Sequence, residues 1–201
     1  MWFGGRNRIH QFDGKTWQVV QSDFDRVNAM VQSRDGSIWV AVGIGLYRFY
    51  KNSWVYNAQR DGLPTSTIND IFEDHGGQLW AATALGVRLF HPSTDLDPPR
   101  TTVTPNKSNA KAPLNEASFT MQGRDRWRFT LDGRLLFAYQ LDDAVWTPYA
   151  RRTQITFHDL TPGHHQLRVR AMDANGNEEV NPASLGFVIP RPWYQIGRAH
   201  V

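Results

Sequence analysis

The chain has 201 residues, with 22 Lys and Arg against 19 Asp and Glu, for a formal net charge of +3. That length admits one large domain or two small ones, and 40% apolar with 12% aromatic residues suffices for a packed core and excludes a disordered chain. The absence of cysteine excludes a disulfide framework, a thiolate metal site and a cysteine nucleophile, but says nothing about compartment.

No stretch approaches the roughly 18 uninterrupted apolar residues of a membrane helix, and no charged-then-apolar leader opens the chain. Charge is balanced along the body: residues 1–92 carry nine basic and eight acidic side chains, and residues 93–190 carry eleven of each. Arg191 and Arg198 supply the rest of the excess. A nucleic-acid binder concentrates positive charge on one face. The nearest approach to this is Arg124, Arg126 and Arg128 around Trp127, which Asp125 interrupts. It reads as a solvated strand face with the aromatic turned inward, and no nucleic-acid partner is expected.

In chain order, the first signal is repetition. Asn28-Ala29-Met30-Val31, then Asp35-Gly36-Ser37-Ile38-Trp39-Val40-Ala41 and Gly45-Leu46-Tyr47-Arg48-Phe49, return as a second series. That series is Asn69-Asp70-Ile71-Phe72, Gly76-Gly77-Gln78-Leu79-Trp80-Ala81-Ala82 and Gly86-Val87-Arg88-Leu89-Phe90, displaced by 41 residues. A partial earlier copy opens the chain with Met1-Trp2-Phe3-Gly4-Gly5 and Arg8-Ile9-His10-Gln11-Phe12. A period near 40 built from short alternating runs and glycine turns is that of a four-stranded propeller blade. The second unit predicts strands at 27–33, 37–42, 46–50 and 53–58, joined by hairpin turns. Gly43–Gly45 lies between two strands, so no helix N-terminus is there to hold a phosphate. Trp17, Trp39, Trp54 and Trp80 are expected to pack between blades.

The pattern Asn-x-apolar, Asp-x-Gly-x-(Leu/Ile)-Trp-x-small, Gly-apolar resembles the two-component regulator propeller repeat over residues 1–92. The loop Arg60-Asp61-Gly62-Leu63-Pro64 is similar to that family's Asp-Gly-Leu-Pro connector. The resemblance implies an exported sensory region of a bacterial signalling protein.

Proline then accumulates at 92, 98, 99, 105 and 113, so residues 93–98 read as a linker that leads into a strand at Arg100–Thr104. Asn106-Lys107-Ser108 matches a glycosylation acceptor formally, and no weight is given to it. Further strands are expected at Phe119–Gln122, Leu135–Leu141, Trp146–Tyr149, Thr153–Phe157, Gln166–Met172 and Ser184–Ile189. About seven strands in this length make an immunoglobulin- or fibronectin-like β-sandwich over residues 99–190. Leu167, Val169 and Ala171 would face its core, with Arg168 and Arg170 in solvent. Phe137 to Asp142, Trp146-Thr147-Pro148-Tyr149, Leu160-Thr161-Pro162-Gly163, Leu167 to Asp173 and Pro192-Trp193-Tyr194 together resemble the Y_Y_Y (triple-tyrosine) domain. His165 stands where many members carry tyrosine. The fold class expected for the whole is therefore all-β: about two and a third propeller blades, then a sandwich.

Catalytic chemistry finds no footing. Asp173 to Asn177 begins like a calcium loop but has Glu178 and Ser184 at its sixth and twelfth positions. His164 and His165 would point to opposite faces of a strand and could not share a metal. Asp142-Asp143 sit at a turn, and no Ser–His–Asp context or G-x-S-x-G occurs. No catalytic residue, metal or cofactor is expected.

The resemblances imply a periplasmic or extracellular sensor fragment of an inner-membrane protein with a histidine kinase or similar output. They also imply a glycan or other small ligand, a homodimer in the complete protein, and a membrane helix downstream of residues 191–201. The last six residues, Ile196 to Val201, would also be encoded by sequencing-adapter read-through and are read as a foreign tail. A secreted carbohydrate-binding or adhesion module is the alternative, and a propeller lyase or glycosidase a more distant one. In a propeller, the loops Gly5-Arg6-Asn7, Gly43–Gly45 and Arg60–Pro64 gather on one rim, which makes Arg6, Asn7, Arg60 and Asp61 the candidate ligand-binding residues. Open blade faces at both ends predict self-association of the chain, and residues 99–190 should fold alone.

Overall fold

A computed structural model describes residues 1–61, 63, 65–91, 95–106 and 115–191. Residues 92–94 and 107–113 of the expected proline-rich stretch, Gly62 and Pro64, Lys107 and Ser108 of the acceptor triplet, and the tail beyond Arg191 lie outside these residues. The fold is all-β, a partial propeller followed in sequence by a sandwich. The chain divides into two compact units: Met1–Leu96 with Ala174–Gly176, and Asp97–Asp173 with Asn177–Val201.

The first unit holds three consecutive antiparallel sheets. Blade 1 contains β1 (Trp2–Gly4), β2 (Arg8–Phe12) and β3 (Trp17–Ser22). Blade 2 contains β4 (Val27–Gln32), β5 (Ile38–Val42), β6 (Gly45–Tyr50) and β7 (Ser53–Asn57), in that spatial order. Blade 3 contains β8 (Ile68–Glu73), β9 (Leu79–Thr83) and β10 (Gly86–Phe90). All five residues of β5 are buried, because blade 2 is covered on both faces. On one side Trp39, Ala41 and Leu46 pack against Leu63, Ile68, Ile71, Leu79, Ala81 and Phe90 of blade 3. On the other, Ile38, Val40 and Val42 pack with Ile9, Phe24 and Trp2 of the blade 1 side.

The repeated residues have identifiable duties. Asp35 caps its turn by accepting from the Ser37 N–H (2.8 Å) and hydroxyl (2.6 Å). In blade 3 the cap moves to Asp74, whose Oδ1 accepts from the Gly76 and Gln78 N–H groups while Oδ2 takes the Trp80 indole N–H (2.9 Å). Gly36 and Gly77, 41 residues apart, both have φ near +80°, where a side chain is strained. Lys51 and Asn52 both have positive φ, the signature of the type I′ hairpin joining β6 to β7. The four tryptophans divide. Trp39 is buried between blades and Trp54 half-buried against the core, whereas Trp80 is half-buried on the opposite face of its strand from Leu79 and Ala81, and Trp17 is 55% exposed, its ring tilted against those of Phe3 and Phe12.

The second unit is two three-stranded sheets. One contains β11 (Arg100–Pro105), β12 (Ala117–Arg124) and β14 (Gln154–Phe157), and the other β13 (Leu136–Leu141), β15 (Gly163–Met172) and β16 (Ala183–Ile189). Phe119, Met121 and Ile155 from the first sheet meet Phe137, Leu167, Val169 and Ala171 from the second in one core. The expected strand at Trp146–Tyr149 does not form. Thr147 and Ala150 each donate to β13, but Pro148 between them has no N–H, so the segment lies alongside as a tether. Arg170 departs from the simple solvent face: its guanidinium sits 4.3 Å from the Trp146 ring centroid and 3.4 Å from Glu178.

Trp127 is the clearest reversal. It is 60% exposed, in a loop after β12, with Arg126 over its ring. The residue turned inward is Asp125, fully buried, whose carboxylate accepts from the N–H groups of Trp127 (3.1 Å) and Thr130 (2.7 Å). Satisfying those two donors orients the loop and leaves the indole outside.

Candidate functional site

Two of the three expected rim loops, Gly5-Arg6-Asn7 and Gly43–Gly45, are short hairpin connections, and the third belongs to the longer connection from β7 to β8. Gly5 donates to the Arg8 carbonyl (2.8 Å), closing the loop between β1 and β2 that carries Arg6 and Asn7. The Gly5 carbonyl in turn accepts from Val27 N (3.3 Å), fastening the start of β4 to that loop. Asp25 lies against Gly43, where a Cβ would come within 2.5 Å of its Oδ2, so glycine is needed for the close approach.

A cleft of about 370 Å³ opens here, lined by Gly5, Arg6, Arg26 and Val27. It brings together one expected residue, Arg6, and one that sequence reasoning passed over. Arg26 lies in the connection from the outer strand of blade 1 to blade 2, the same class of loop as Arg60–Pro64 one repeat later. That equivalence was the available signal. Neither guanidinium makes an ion pair among the described residues, and no carboxylate, imidazole or hydroxyl lines the cleft. Two exposed guanidiniums offer positive charge and N–H donors, which suit an acidic or acceptor-rich group, and none of the lining side chains is a general acid or base at neutral pH.

The other expected residues are placed differently. Asn7 is exposed beside Arg6 in the same loop. Asp61 is committed locally: its Oδ2 accepts from Ala58 N (2.6 Å), capping the 3₁₀ turn Gln59–Asp61. Arg60 contributes backbone to that turn, and its side chain lies outside the described residues.

In the second unit, a cleft of about 520 Å³ is lined by Asp97, Pro98, Pro99, Arg100, Arg126, Glu179, Val180 and Asn181. Its carboxylates and guanidiniums balance, and Glu179 is tied to backbone through Thr101 N (3.0 Å). Nearby, burial and the charge of Glu178 push the Tyr149 phenol well above its ordinary pKa, so it stays a neutral donor. The adjacent histidines point apart, with His164 exposed and His165 held by Asp142 (2.8 Å). Asp173 accepts from Asn177 N and Nδ2 (both 2.8 Å), which makes it a turn cap. No group of metal-binding side chains occurs among the described residues, and no helix there is long and apolar enough to cross a membrane.

No curated protein matches the chain. Among solved structures it is similar to the extracellular domain of BT3049 from B. thetaiotaomicron, described as a hybrid two component system. Identity is 17% and the TM-score 0.47, over 95% of this chain and 31% of that one. The extracellular domain of BT4673 from the same organism matches at 18% identity and TM-score 0.37, covering 100% and 30%. PorZ, a surface component of the type-IX secretion system of Porphyromonas gingivalis, matches at 16% and 0.35, covering 94% and 29%. The chain thus spans under a third of the length of each of these structures. Residues 62–84, in the connector and first strands of blade 3, match the family model of the two component regulator propeller.

Proposed function

We propose that this chain is part of the extracellular or periplasmic sensor region of a membrane-bound bacterial signal-transduction protein of the two-component type. In this reading the blades take up an acidic or polyhydroxylated ligand at the rim. The sandwich, of Y_Y_Y type, relays the event toward a membrane helix and a histidine kinase output. The segment itself is non-catalytic. The observation that carries the reading is the regulator-propeller match at residues 62–84, on a repeat that blade 2 shares and blade 1 shares in part. The unpaired Arg6 and Arg26 support the choice of ligand.

Binding is tested by calorimetry with two probes of equal length, a galacturonic acid oligomer and a neutral galactose oligomer. The acidic oligomer should bind in preference, and Arg6→Ala with Arg26→Ala should weaken it about tenfold or more. Equal binding of both probes, or no effect of the two substitutions, overturns the rim cleft as the site. Replacing Arg60 and Asp61 by Ala probes the far side of the same rim. A comparable loss extends the ligand across both loops, and unchanged affinity confines it to Arg6 and Arg26. The relay is tested by the downstream gene sequence: an apolar helix then a kinase core supports it, and a stop codon overturns it.

A further inference from the structure

The sandwich of the second unit closes differently along its two sides. Strand β11 lies over β15 and β16, so β13 and β14 are the edges of the opposite side. Residues 142–153 cross from β13 to β14 there, and they include the Pro148 tether. Phe137 and Ala150 exchange N–H donors (2.9 and 3.0 Å), and Thr147 N donates to the Tyr139 carbonyl (3.0 Å). The Tyr139 N–H in turn donates to Thr147 Oγ1 (3.0 Å). The backbone of β13 is thereby satisfied at 137 and 139 without a neighbouring strand.

The side chains leave a space that this bonding does not fill. Phe137 and Tyr139 point into the sandwich, and at its edge they meet the tether. A cleft of about 310 Å³ remains, lined by Phe137, Tyr139, Thr147, Pro148, Ala150 and Arg152. Volumes of about 300–1,000 Å³ hold small molecules, so the occupant is a small one. Phe137 is buried and forms the floor, whereas Arg152 is exposed at the rim. Thr147 Oγ1 already accepts from Tyr139, which leaves its proton for another partner. The Arg152 N–H donates to the Ala150 carbonyl (2.8 Å), which fixes the backbone there. Its guanidinium makes no ion pair or hydrogen bond among the described residues, and no acidic side chain among them lines the cleft. An aromatic floor with a guanidinium and a hydroxyl donor above it complements an apolar body with one anionic head.

We propose that this cleft binds a small amphipathic carboxylate, an aryl-substituted short-chain acid. Its ring lies against Phe137 and Tyr139, and its carboxylate takes the Arg152 guanidinium and the Thr147 hydroxyl. Every lining residue belongs to the second unit, whose two sheets enclose their own core, and the site is independent of the rim cleft.

Saturation-transfer difference NMR on the 201-residue chain tests this with 3-phenylpropionate and the neutral 3-phenylpropanol. The carboxylate should bind saturably with a Kd of about 1 mM or tighter, and the alcohol about tenfold more weakly or less. Arg152→Gln should weaken the carboxylate about tenfold. Ala150→Phe, which fills the cleft from an exposed wall, should abolish its binding. Arg151→Gln, at an exposed neighbour outside the cleft, should leave it unchanged, as should Arg6→Ala with Arg26→Ala. Near-ultraviolet circular dichroism verifies each fold, and Arg152→Gln decides alone should Ala150→Phe fail to fold. The proposal is overturned by an absence of saturable transfer up to about 10 mM, or by equal binding of the alcohol. It is also overturned by unchanged binding in Arg152→Gln, by retained binding in folded Ala150→Phe, or by a comparable loss in Arg151→Gln. Loss in the Arg6 and Arg26 variant would place the acid at the blade rim instead.

Discussion

Asn28 and Asn69 hold the same place in the repeat, but only Asn28 meets a partner inside the unit, the Ile68 carbonyl. Removing it strands a half-buried acceptor at the junction, so Asn28→Ala should cost about 1–2 kcal/mol of stability in urea unfolding. Asn69→Ala should change little. A second residue-scale prediction concerns His165. Its Nε2 lies 2.8 Å from the Thr161 carbonyl and its Nδ1 2.8 Å from Asp142 Oδ2. Both partners accept, so only the doubly protonated ring satisfies both. The Thr161 carbonyl, then Asp142, hold the imidazole above its ordinary pKa; the Gln166 N–H, then His165, hold Asp142 below its own. The histidine contribution is complete below about pH 6.5 and is lost as pH rises through the raised folded value. That of Asp142 is present above about pH 3.9 and is lost as pH falls through the depressed folded value. The pair therefore stabilises most between about pH 4 and 6.5. The urea midpoint of wild type should fall relative to His165→Gln as pH rises above that window, and parallel curves would refute the assignment.

At the scale of elements, the blades were legible because a 41-residue offset repeats the strand residues and their turn glycines together. Alternation also gave the sandwich strands whose one face is buried, such as β15, where Leu167, Val169 and Ala171 are fully enclosed. It failed where a polar group satisfies the backbone in place of a ladder. Trp146–Tyr149 has strand-like composition, but Pro148 breaks the ladder, and Trp127 alternates correctly yet follows the buried Asp125 outward. The rim cleft was half legible: Arg6 came from the loop rule, while Arg26 required applying that rule to the incomplete first repeat. The Trp146–Tyr149 tether has a consequence for Arg170, which lies over Trp146 at 4.3 Å and over Tyr149 at 5.3 Å. Arg170→Met keeps the stem but removes the cation and leaves Glu178 without its ion pair. It should cost about 1–3 kcal/mol, with a change in tryptophan fluorescence that Arg168→Met, on the exposed neighbour, does not show.

For the whole molecule, the question is whether the two units are separate folding entities. The core around Phe119, Met121, Leu135, Phe137, Ile155, Leu167, Val169 and Ala171 draws on both sheets of the second unit. Among the described residues, strands β11 to β16 pair with one another, and their ladders are complete within that set of strands. A unit that satisfies its own backbone and encloses its own apolar residues has what independent folding requires. The blades differ, because blade 2 is buried only by its neighbours on both faces and stability there is shared along the stack. Residues 97–191 expressed alone should therefore unfold in a single cooperative transition with the near-ultraviolet circular dichroism of ordered aromatics. Val169→Ala in that fragment should lower its stability by about 1–3 kcal/mol, through the lost methyl groups and the space left behind. In the 201-residue chain the same substitution should shift only the transition that carries the sandwich, leaving the blade transition in place. A single merged transition displaced as one by Val169→Ala would mean that the units fold together.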